Sequence, residues 1–65
     1  MRKTITADKV KKLPVDTTVY VVNDTDGSHG TLWIVKKGRQ KMLKGALTDP
    51  REIRDVPGWH YEVDK

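Results

Sequence analysis

Thr31-Leu32-Trp33-Ile34-Val35-Lys36-Lys37-Gly38-Arg39-Gln40-Lys41-Met42-Leu43-Lys44-Gly45-Ala46 is an apolar run, a basic turn and a second apolar run. β-Branched and aromatic residues pack well on a pleated surface, so both runs read as strands. Glycine at the first central position of a two-residue turn suits type II′, which puts Gly38 and Arg39 at the tip of a hairpin. Lys37 then faces Gln40, Lys36 faces Lys41, Val35 faces Met42, Ile34 faces Leu43 and Trp33 faces Lys44. Moving the turn back to Lys37-Gly38 would oppose Ile34 to Lys41 and Val35 to Gln40, a mismatch on both faces, so the first register is expected. That register has a cost. Like charges directly opposite each other repel, and Arg39 adds to the repulsion between Lys36 and Lys41.

Upstream, Thr17 to Val22 is almost all β-branched or aromatic and reads as a strand, with Val19 and Val21 on one face and Thr18, Tyr20 and Val22 on the other. Asn23 to Gly30 is a polar loop of turn formers that connects it to the hairpin. Before it, Thr6-Ala7-Asp8 followed by Lys9 to Pro14 reads as a short helix with Thr6 as its cap, an acid in the first turn and Pro14 as its stop. Val10 and Leu13 share a face and would lie over a sheet. Residues 2 to 5 are a possible edge strand. Downstream, Asp49, Pro50 and Glu52 make a capping-box-like start, which predicts a helical turn in Thr48 to Asp55. After the Pro57-Gly58 turn, Trp59 to Val63 alternates as a last strand, with Trp59, Tyr61 and Val63 expected to be buried and His60 and Glu62 to face water.

These elements predict an α+β, mostly β, single domain over residues 1–65. The expected form is a small, strongly bent antiparallel sheet of four to five strands with a short N-terminal helix and one helical turn before the last strand. In element order it resembles the SH3-like barrels, which also have a long polar loop after the first strand, a basic-tipped hairpin and a helical turn before the last strand. Fold analogy of this kind carries no function.

A chain of 65 residues buries only about 60% of its unfolded surface, so a thin core is expected. Cysteine is absent, which removes disulfides and thiolate metal sites. The first eight residues hold no apolar run, and no stretch of 18 apolar residues occurs anywhere. A cytoplasmic protein, with neither secretion signal nor membrane partner, is therefore expected.

The net charge of +4 is arranged in blocks: residues 1–15, 16–26, 27–48 and 49–65 carry +4, −3, +5 and −2 in turn. The third block has no carboxylate, only Lys36, Lys37, Arg39, Lys41 and Lys44. A single-sign cluster of this kind is the footprint of nucleic acid or another polyanion, although lysine also collects at hairpin tips to discourage edge pairing. Trp33 beside Lys44 would pair a stacking surface with a cation, as single-strand binders do, or would simply be core. Tyr20 and His60 are weaker candidates of the same type.

Other chemistries fit poorly. Asp24-Thr25-Asp26-Gly27 resembles a calcium loop, but Val22 and Trp33 stand where the loop's first and last ligands belong. His29 and His60 would need distant carboxylates to hold zinc. Asp24, Ser28 and His29 crowd into one loop with no elbow to expose a nucleophile. Gly38 and Gly45 lack phosphate-loop spacing. No catalysis, metal or cofactor is therefore expected, and two functions remain. One is a basic module that binds DNA or RNA with low sequence specificity through Lys36, Lys37, Arg39, Lys41, Lys44 and Trp33, helped by Lys9, Lys11 and Lys12. The other is a small protein-interaction module, a regulator or inhibitor, docking the same hairpin on an acidic partner. The oligomeric state is not legible.

Overall fold

The computed structural model describes residues 1–64. The hairpin forms in the expected register: β3 (His29–Lys37) and β4 (Gln40–Lys44) pair Lys37 with Gln40 through to Trp33 with Lys44. At its tip Gly38 takes φ +63° while Arg39 keeps a negative φ, the sign pattern of a type II′ turn.

Six strands make one antiparallel sheet in the order β1-β6-β2-β3-β4-β5. β2 (Thr18–Asn23) lies between β3 and β6 (Trp59–Asp64), and β1 (Arg2–Ile5) pairs with the outer side of β6. The count is six where four to five were expected. Among the described residues no ladder joins β1 to β5, so the sheet keeps two edges.

The helix α1 (Ala7–Val10) is capped as the sequence predicts, with the Lys9 backbone N–H donating to Thr6 Oγ1 at 3.3 Å. Pro14 closes the segment, its carbonyl accepting from Thr17 N–H.

The helical turn expected before the last strand is absent. Arg51–Glu52 is a short strand, β5, paired with Leu43 and Met42 of β4. A two-turn helix here would offer Ile53 as its main apolar residue, too little to hold so short a helix. The extended chain instead buries Ile53 to 1% exposure and gives part of the β4 edge a partner. Pro50, which cannot donate, stands just before this edge strand, where the missing N–H costs no ladder bond.

Residues paired across a ladder share a face, so the registers sort the side chains into two sets. The inner face carries Val19, Val21, Leu32, Ile34, Lys36, Lys41, Leu43, Tyr61 and Val63; Thr18, Tyr20, Trp33, Val35, Lys37, Met42, Lys44 and Glu62 lie on the outer face. Ala7, Val10 and Ile53 cover the inner face and complete one core with Val19, Ile34, Leu43, Tyr61 and Val63. Val10, Val19 and Ile34 are fully buried, each worth roughly 1.5–3 kcal/mol. Trp59, expected to be buried, is 40% exposed, because the cover over the inner face stops short of it.

Candidate functional site

The hairpin's five bases do not share one environment. Lys36, Lys37 and Arg39 are exposed at the tip, and none pairs with a carboxylate; the only ion pairs among the described residues are those of His60. Lys41 is turned inward across the sheet, and its ammonium donates to the Leu13 carbonyl at 2.6 Å. This offsets part of the repulsion across the Lys36–Lys41 pair: one of the two cations is held at the carbonyl end of the helical segment, where partial negative charge collects.

Trp33 is outside the core cluster, half-buried on the outer face. The Lys44 ammonium lies 5.6 Å from its ring centroid and also donates to the Gly45 carbonyl at 3.1 Å. The cation and the ring therefore form one unit on an uncovered sheet face, flanked by half-buried Val35 and Met42. Farther along the same face the Arg2 guanidinium lies 3.8 Å over the Tyr20 ring, and Tyr20 meets His29 edge-on at 6.2 Å. The Tyr20 hydroxyl donates to Asp64 at 2.9 Å, and that bond is the main cause of its raised pKa.

Structure joins two basic segments that are distant in sequence. Lys11 from the helical segment meets Arg39, Gln40 and Lys41 of the hairpin around a concavity of about 390 Å³, floored by Ile53. Glu52 is the one carboxylate among its lining residues. Lys9 and Lys12 are exposed close by in the chain.

His60, a weaker candidate from sequence, has another environment. Its ring nitrogens meet Asp24 and, at 2.7 Å, Glu62, so both can donate only when the imidazole is protonated. The bond to Glu62, then that to Asp24, raises its pKa above the ordinary 6.5. The ring is thereby committed to holding the 23–28 turn against β6. That turn is internally braced as well, with Asp26 accepting from Ser28 N–H at 2.9 Å and from its hydroxyl at 2.7 Å, which lowers the Asp26 pKa. Among the described residues no group of three or more His, Cys, Asp or Glu side chains is arranged to hold a metal ion. No helix among them is long and apolar enough to cross a membrane.

A second concavity was not foreseen. It lies on the inner face beside the core residues Leu43 and Tyr61, with exposed Val56 and Trp59 and the charged Arg51, Glu52 and Arg54 among its lining. The alternation of Trp59 with Tyr61 hinted at its wall, but the shortness of the cover over that face had no sequence signal. Compared with protein families, curated proteins and solved structures, the chain finds no significant match in any of the three.

Proposed function

We propose that this protein is a small, non-catalytic nucleic-acid-binding module that contacts phosphates through the β3–β4 tip and the neighbouring helical segment. The observation that supports it best is the convergence of Lys11 with Arg39 and Lys41 around one concavity that has a single carboxylate, beside Lys36 and Lys37, which form no ion pair among the described residues. Lys36, Lys37, Arg39 and Lys11 supply the phosphate contacts. Lys41, tied to the Leu13 carbonyl, shapes the surface instead of leading it. Trp33 with Lys44 offers a stacking platform for an unpaired base on the outer face. Few of these groups read base edges, so affinity is electrostatic and nearly indifferent to sequence. The barrel-like outline belongs to the same proposal: it would place the binding surface on the sheet and hairpin, but function rests on these side chains and not on fold analogy.

Fluorescence anisotropy with labelled single-stranded and duplex DNA and RNA tests this. Binding should be micromolar or tighter at low salt, and the combined Lys36→Gln, Lys37→Gln and Arg39→Gln variant should weaken it for every sequence. Trp33→Ala should cost about 1–3 kcal/mol on single strands, the worth of one stacked base, and much less on duplex. A chain that ignores all four nucleic acids at low salt would refute the proposal and favour an acidic protein as the partner of the same hairpin.

A further inference from the structure

The inner face of the sheet is only partly covered. α1 and Ile53 close one half, and past them a groove of about 640 Å³ runs over Val21, Leu32, Leu43 and Tyr61 to Val56 and Trp59. The volume lies within the range typical of small-molecule sites, and an apolar lining with a few polar groups is their usual composition. Val56 and Trp59, each about 40% exposed, are the exposed apolar residues of its lining.

Two arginines border this lining. Arg51 stands at the register position opposite Leu43, on the inner face, and Arg54 follows three residues later. Neither makes an ion pair among the described residues. The Arg54 backbone is fixed, since its carbonyl accepts from the Tyr61 hydroxyl at 2.7 Å, and the next residue, Asp55, accepts from the Ala7 backbone N–H at 3.4 Å. Two other titratable side chains line the groove, His60 and Glu52. His60 is held by Asp24 and Glu62, and Glu52 is a single carboxylate against the two guanidiniums, so the lining keeps a positive balance. An apolar floor with aromatic walls and two guanidiniums that outnumber one carboxylate complements an apolar molecule with a negative charge.

We infer that this groove is a binding site for a small aromatic carboxylate, its ring system against Trp59, Val56 and Leu43 and its carboxylate on Arg51 and Arg54. The guanidinium fork matches a carboxylate bidentately and stays charged at any working pH. The site is on the opposite side of the sheet from Trp33 and does not depend on nucleic-acid binding.

The test compares 4-phenylbenzoate with 4-phenylbenzamide, an uncharged molecule of the same shape, by amide-resolved NMR titration of the whole chain. The acid should bind with Kd below about 1 mM and at least ~10-fold tighter than the amide, one good charge-assisted contact. Shifts should cluster at Val21, Leu32, Leu43, Val56 and the Trp59 indole. Arg51→Gln with Arg54→Gln, both at exposed positions, should bring the acid to the amide's affinity with the spectrum otherwise preserved. Equal binding of acid and amide in the unsubstituted chain overturns the inference without reliance on any variant. So do shifts centred on the hairpin or outer face, and so does a dimer in sedimentation velocity that the acid leaves intact, which would make a second copy the occupant.

Discussion

Lys36 and Lys41 stand opposite each other on the inner face, yet among the described residues only the Lys41 ammonium has a hydrogen-bond partner, the Leu13 carbonyl. The two lysines should therefore respond in opposite directions to substitution. Lys36→Glu converts a repulsive cross-strand pair into an attractive one and is expected to raise stability by roughly 0.2–1 kcal/mol. Lys41→Gln removes the tie to the helical segment and is expected to cost about 1 kcal/mol, the typical worth of such a hydrogen bond. Urea denaturation of the two variants checks both signs. His60 makes a pH-dependent tie of the same local kind. Its folded-state pKa lies above its unfolded value near 6.5, so its contribution to stability is complete below pH 6.5 and disappears as pH rises through the folded-state pKa. An NMR titration of the ring should give a midpoint above 6.5, and His60→Gln should flatten the loss of stability on that alkaline side. A midpoint at or below 6.5 would show that the Asp24 and Glu62 contacts do not hold the imidazolium.

At the scale of elements, β5 is where propensity and packing conflict. Asp49, Pro50 and Glu52 carry a helix-start pattern, but Ile53 is buried only if the chain runs extended beside β4. Ile53→Ala should cost 2–5 kcal/mol, the usual loss for emptying a buried Ile site. In so small a chain that approaches its whole stability, and thermal denaturation should show most of the cooperative transition lost or moved to low temperature. Gly45 constrains the other end of the β4–β5 connection. A Cβ there would meet Leu32 Cδ2 and Thr48 Oγ1, both at 2.9 Å, and Thr48 Oγ1 is the acceptor for the Gly45 N–H. Gly45→Ala is expected to cost about 1–3 kcal/mol by this overpacking, measured in the same way. The hairpin, α1, β2 and β6 were legible because each depends on its own residues: a glycine in the turn, a threonine cap, an alternating run. β5 was not, because its conformation is set by the edge of β4 and the hole that Ile53 fills. The same limit applied to the candidate site. The bases at 36 to 44 could be read as a cluster, but the diversion of Lys41 to Leu13 and the approach of Lys11 to Arg39 arise only when the helical segment folds over the sheet.

For the whole molecule, one six-stranded sheet presents two differently equipped surfaces. The outer face and the hairpin tip gather unanswered cations with an aromatic ring; the inner face holds the core and, past its cover, the groove bordered by Arg51 and Arg54. If the tip lies along phosphates, each neutralised phosphate releases a counterion, and the logarithm of the binding constant falls linearly with the logarithm of salt concentration. A salt titration of single-stranded DNA binding, run on the unsubstituted chain and on the combined Lys36→Gln, Lys37→Gln and Arg39→Gln variant, reads those contacts directly. The expected slope for the unsubstituted chain is roughly −3, four phosphate contacts at ~0.7 each, and the variant's should be shallower by about 2, the equivalent of three lost contacts. A slope near zero, or one unchanged by the three substitutions, would contradict phosphate binding by the hairpin.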